Sequence, residues 1–219
     1  MTNTAELVFI LDRSGSMAGL EQDTIGGFNA MLKKQKALEG AARVTTVLFD
    51  NHYELLHDRI DIQAVSPITE KEYFVRGTTA LMDAVGKTIQ KIDNVQKSTA
   101  AKNRADRVLF VIITDGMENA SRTYSETKIR QMIEERKKEH DWEFIFLGAN
   151  IDAVEAAENI GIAPERARNY HADKQGTGSM YRSVCGATES FRKSGKVNEN
   201  WDAEVRADYE KRKKDTPDD

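Results

Sequence analysis

The 219-residue chain has a single cysteine, three prolines, no long apolar run and no excess of positive charge. Each shortage removes a class of protein. Cys185 has no partner for an internal disulfide and cannot build a cysteine-based zinc cage, so a reducing compartment is the simplest setting and a small buried hydrophobe the ordinary reading of the residue. Three prolines and 14 glycines exclude a collagenous or low-complexity chain. No sequence period of roughly 20–50 residues recurs, which sets aside solenoids and propellers. Lys and Arg total 32 against 36 Asp and Glu, a net charge of −4 that offers nucleic acid no bulk attraction. The basic run Lys211 to Lys214 is bracketed by acidic residues and reads as a solvated stretch. Met1 to Glu6 carries no basic leader, and the apolar run Leu7 to Leu11 is too short for a signal peptide or a membrane span. The expectation is a cytoplasmic protein without nucleic-acid or membrane partners.

With 39% of its residues apolar and 31% charged, the chain is expected to fold around a real core. Glu6 to Leu11 reads as a strand buried on both faces, and it runs directly into Asp12 and a Ser/Gly cluster. Leu20, Ile25, Phe28, Met31, Leu32 and Leu38 recur at helical spacing, with Gly40 as a plausible stop. Arg43 to Asp50 reads as the next strand, and Asn51-His52 is short enough to fold Tyr53 to Ile60 back as an antiparallel partner. Thr78 and Thr79 stand at a helix start, before Leu81, Val85, Ile89, Ile92 and Val95. Arg107 to Thr114 is the clearest buried strand and again meets an acid, Asp115, followed by Gly116. A helix over Ser125 to Glu139, a strand over Trp142 to Gly148, a short helix over Asp152 to Ile160 and a weak strand at Ala167 to His171 follow. Met180, Val184, Ala187 and Phe191 mark a last helix of the domain. The expected architecture is α/β: a three-layer, doubly wound, Rossmann-like and mostly parallel sheet with one antiparallel edge strand and helices on both faces. The domain is drawn at residues 1–195, with 196–219 a polar extension whose last ten residues have too little apolar surface to offset their ordering entropy and are expected to form a mobile tail.

In such a sheet the carboxyl ends of the strands share one edge, where ligands bind. Asp12, Ser14 and Ser16 place a carboxylate and two hydroxyls at alternate positions of a loop on that edge, Thr79 adds a hydroxyl and Asp115 a second carboxylate. Oxygen ligands without cysteine or a nearby histidine describe a hard cation, and so few carboxylates suit an ion that keeps waters: Mg²⁺, or Mn²⁺ or Ca²⁺. Simpler roles exist. Asp12, Ser14 and Ser16 are natural caps for a helix starting near Gly19, Asp115 is a natural turn residue before Gly116, and Asp83 in the first turn of a helix complements its dipole. Glu118, Asn119 and Arg122 lie on the same edge and would extend a partner-binding surface if they are more than solvated loop residues.

The constellation resembles a von Willebrand factor type A domain with a metal-ion-dependent adhesion site. The family's Asp-x-Ser-x-Ser motif matches Asp12, Ser14 and Ser16, its Gly-x-Thr element matches Gly77-Thr78-Thr79, and its strand-ending Asp-Gly matches Asp115-Gly116. The coordinating threonine is assigned to Thr79, because Ala80-Leu81 and Asp83-Ala84-Val85 follow it as they follow the family's threonine; Thr78 is the alternative. The phrases DRSGSM, GGFNAM, RGTTALMDAV, ITDGMENASR and WEFIFLGANIDA look like a bacterial or phage intracellular branch. The resemblance spans residues 5–195. It implies a non-enzymatic interaction module in which a divalent cation is completed by an acidic side chain of a protein partner, with a chaperone-type ATPase one such partner. Two alternatives stand beside it, a metal-dependent phosphoesterase and a metal-mediated self-assembly protein. The first lacks the second acid two residues after Asp12, where Ser14 stands.

Overall fold

A computed structural model describes residues 4–214. Six strands form one sheet: β1 (Ala5–Asp12), β2 (Ala42–Phe49), β3 (Tyr53–Asp61), β4 (Arg107–Thr114), β5 (Glu143–Gly148) and β6 (Ala167–Asn169), in the order β3-β2-β1-β4-β5-β6. All neighbours are parallel except β2 and β3, whose antiparallel hairpin pairs Phe49 with Tyr53. The mostly parallel Rossmann-like sheet and its antiparallel edge strand are thus as expected from the sequence.

The apolar runs are continuous because both faces are covered. Along β1, Leu7, Phe9 and Leu11 face one core and Val8 and Ile10 the other; along β4, Leu109, Val111 and Ile113 alternate with Val108, Phe110 and Ile112. The first core packs beneath α1 (Glu21–Lys36) and α5 (Lys174–Ser194), where Phe28 meets Phe9 edge-on at 5.5 Å. The second lies beneath α2 (Leu81–Ser98), α3 (Glu126–His140) and α4 (Ala153–Asn159). Trp142, just before β5, stacks on Phe110 in this second core.

The C-terminal part departs from the expected boundary. Val197, Trp201 and Val205 join the first core, the Trp201 indole N–H donates to the Glu165 carbonyl at 2.9 Å, and α6 (Ala203–Lys214) packs along α5. Tyr209 stacks on His171 with ring centroids 4.7 Å apart. These four apolar side chains, spaced four residues apart, with Arg212 paired to Asp173 and Asp208, hold a stretch that composition alone marks as too polar to order. Residues 210–214 of the expected mobile tail are therefore the end of α6, and 215–219 lie outside the described residues.

The sheet grows from β1 in both directions, to β2 on one side and to β4 on the other, so the carboxyl ends of β1 and β4 flank the point where strand order reverses. Asp12 closes β1 and Asp115 follows β4.

Candidate metal centre

Pairing of Leu11 with Ile113 sets Asp12 opposite Thr114, and the Thr114 hydroxyl donates to Asp12 Oδ2 at 2.6 Å. The Ser14 N–H donates to Asp12 Oδ1 at 2.7 Å. Both oxygens of this buried carboxylate are therefore oriented by the protein, which partly offsets the upward push of burial on its pKa. Ser14, also buried, is the hub of the hydroxyls: its Oγ lies 3.0 Å from Ser16 Oγ and accepts from Thr79 Oγ1 at 2.9 Å. Thr79 is buried and Thr78 exposed, so Thr79 is the threonine that joins the cluster. Ser16 is exposed and marks the mouth.

Asp115 is buried beside these hydroxyls. Its Oδ2 accepts a long 3.4 Å hydrogen bond from Asn150 Nδ2, whose residue sits at φ 54°, a left-handed backbone that asparagine tolerates. Its Oδ1 is buried with no hydrogen-bond partner. Burial pushes the Asp115 carboxyl up to about 6, the Ser16 hydroxyl opposes this, and the negative charge of Asp12 adds to it. A buried oxygen without a partner and a charge disfavoured by its surroundings are what a nearby cation would relieve. Gly116 leaves the space open: a Cβ there would stand 2.7 Å from Ser16 Oγ and 3.1 Å from Thr79 Oγ1.

The donor set is two carboxylates and three hydroxyls, matched to a hard divalent ion. Among the described residues no three His, Cys, Asp or Glu side chains gather as a metal site, so any ion held here rests on hydroxyl oxygens as much as on carboxylates. The capping role open to Asp12, Ser14 and Ser16 is not taken up: α1 begins at Glu21 behind Leu20, with no side-chain cap.

Further residues shape the loops, and two of them, Arg13 and Tyr73, carry no sequence signal of their own. Arg13, between the motif's first two ligand positions, is fully buried; its guanidinium pairs with Asp50 at 3.1 Å and Glu54 at 2.7 Å and donates to the Glu72 carbonyl at 3.2 Å. Asp50 also takes Arg76 at 2.8 Å and the His52 N–H at 2.6 Å. Backbone bonds from Gly15 N to Gly77 O and from Arg76 N to Arg13 O, at 3.1 and 2.9 Å, then lock the Asp-x-Ser-x-Ser loop to the threonine loop. The Tyr73 hydroxyl donates to the Asp12 carbonyl at 2.5 Å from below. Asn119 Oδ1 accepts the Thr79 N–H at 2.9 Å, and Glu118 caps α2 from across the edge by accepting the Met82 N–H at 2.8 Å. Asp83 reciprocates: it accepts the N–H groups of Arg122, Thr123 and Tyr124. Burial would raise its pKa, but these three donors hold it below the usual range. Asp83 and Glu118 are thus pins between α2 and the loop after β4, while Arg122 remains exposed.

No protein-family model and no curated protein sequence matches the chain. Solved structures do. Manganese-loaded TRAP protein of Plasmodium vivax is 20% identical with a TM-score of 0.59, over 82% of this chain and 72% of that one. Proximal thread matrix protein 1 of the mussel byssus, with a zinc-occupied MIDAS motif, is 15% identical with a TM-score of 0.56, over 84% and 45%. A von Willebrand factor type A protein from Catenulispora acidiphila is 13% identical with a TM-score of 0.56, over 85% and 43%. The chain thus spans less than half the length of the latter two. At these identities the likeness establishes a von Willebrand factor A-like fold and no more.

Proposed function

We propose that the chain is a non-enzymatic protein-interaction module in which a divalent cation, Mg²⁺ or else Mn²⁺ or Ca²⁺, held by Asp12, Ser14, Ser16, Thr79 and Asp115, captures a carboxylate of a partner protein. The observation that carries this reading is the buried, partnerless Oδ1 of Asp115 beside three hydroxyls that hydrogen-bond chiefly to one another. Two structurally similar proteins, from Plasmodium vivax and the mussel byssus, were solved with manganese and with zinc, which agrees with it. Ligation mainly by neutral hydroxyls would leave the ion much of its charge, so an external carboxylate would gain strongly by completing its coordination. Ser14 bonds to Ser16 and accepts from Thr79, so the hydrogen bonds of this hydroxyl go to other hydroxyls rather than to a general base, which favours docking over hydrolysis.

The test is capture from a lysate in Mg²⁺ against EDTA, with wild type against Asp12→Ala. A defined protein lost under both perturbations is expected, and its acidic residues become the next target. An identical catch in every lane refutes ion-gated docking.

A further inference from the structure

Among the described residues two large apolar side chains are exposed, Phe74 at 42% and Met117 at 74%, and both stand on loops of this same edge. Phe74 is already engaged, its ring lying 5.3 Å from the guanidinium of Arg13 and 5.1 Å from that of Arg76. Met117 follows Gly116 directly and forms the lip of a groove of about 290 Å³, floored by Leu81, Met82, Ile151 and Ala156. Gly116 borders both this groove and the hydroxyl cluster, so the two are adjacent.

The rim of the groove is acidic. Glu126, Asp152 and Glu155 are exposed there, and among the described residues no cationic side chain lines it. Asp152 is partly committed, since it caps α4 through the N–H groups of Val154 and Glu155. Among the described residues the carboxylates of Glu126 and Glu155 make no ion pair or hydrogen bond. Acidic residues suit the first turns of α3 and α4, but dipole complementarity explains neither the apolar floor nor the exposure of Met117. Arg76 and Arg122 are exposed on the neighbouring loops and neither lines the groove; Arg76 is paired with Asp50.

We propose that the groove takes a lysine or arginine side chain of the same partner segment whose carboxylate reaches the ion. An apolar floor fits the aliphatic stem and the carboxylate rim fits the cationic head. The inference rests on the ion-docking reading above and adds to it the chemistry and polarity of the partner.

Selection from a phage-displayed library of random peptides on the full chain, in Mg²⁺ and in EDTA, separates the two. Peptides enriched in Mg²⁺ are expected to pair an Asp or Glu with a nearby Lys or Arg. In the Glu126→Gln/Glu155→Gln variant the basic preference is lost while the acidic one stays, and a wild-type-selected peptide binds the variant roughly fivefold more weakly, the scale of exposed ion pairs. Acidic enrichment without a basic residue, or with an apolar one that the variant retains, overturns the groove and leaves the ion site standing. Absence of any Mg²⁺-dependent peptide overturns both.

Discussion

Replacing Gly116 by alanine isolates the ion site from the stability of the fold. The added methyl would stand 2.7 Å from Ser16 Oγ and 3.1 Å from Thr79 Oγ1, in the space on which the proposed ligand oxygens converge. Gly116 is not among the glycines with positive φ, so alanine is allowed by the backbone. Ser16 is exposed and its hydroxyl can rotate aside at the cost of its contact with Ser14, whereas Thr79 is buried and bonded to Ser14. The ion-free stability is therefore expected to change by no more than about 1 kcal/mol, the smaller backbone freedom of the unfolded chain offsetting the contact. With the ion the outcome differs. At a Mg²⁺ concentration a hundredfold above Kd the wild type gains about 2.7 kcal/mol. A chain of this length melts roughly 2–4 °C higher for each kcal/mol, so a rise of about 5–10 °C is expected. Thermal melts in Mg²⁺ and in EDTA measure this, and Gly116→Ala should abolish the rise. Gly26→Ala is the control: it lies in α1, a Cβ there meets nothing within 4 Å, and it should gain up to about 1 kcal/mol while keeping the full Mg²⁺ response. A full response in Gly116→Ala would refute the placement of the ion among these oxygens.

The two threonines and the buried acid behind the loops give further checks. Thr79→Val should remove the Mg²⁺-dependent rise in Tm and Thr78→Val should leave it intact, because Thr79 alone of the pair bonds Ser14; calorimetric titration with Mg²⁺ decides it, and the reverse result would reassign the ligand. Asp50→Asn removes the buried carboxylate partner of Arg13 but leaves its ion pair with Glu54, and should cost up to about 3 kcal/mol at neutral pH by urea denaturation. Burial would raise the Asp50 carboxyl, but Arg76 and the N–H and ring of His52 outweigh it and hold the pKa below the usual range. Its contribution is therefore present above about pH 4, the unfolded value, and fades as pH falls through the lower folded one. The gap between wild type and Asp50→Asn should narrow on acidification; a gap that widens would show the sign to be wrong.

Much of this protein follows from local pattern. Doubly buried strands need apolar residues at every position, so β1, β4 and β5 stand out as runs, each ending in a polar turn; the two-residue Asn51-His52 connection leaves β3 little choice but to return antiparallel. Asp12, Ser14, Ser16, Thr79 and Asp115 are legible as candidates because each lies within a few residues of the end of a buried strand or the start of a helix. Composition misleads at the C-terminus, where Trp201, Val205 and Tyr209 hold α6 against α5 and β6 although their surroundings are polar. What tertiary structure alone decides is which side chains meet. The sequence places Arg13 beside the motif and Asp50 at the end of a strand, but only the pairing of β1 with β2 makes them a buried ion pair. Likewise Glu118 and Asp83 look like loop and helix-dipole residues until α2 and the loop after β4 are brought together, when each supplies the hydrogen bonds that the other segment's backbone lacks. Propensity and periodicity act over a few neighbouring residues, whereas a hydrogen bond between positions 40 or 100 residues apart exists only once the sheet order has been set.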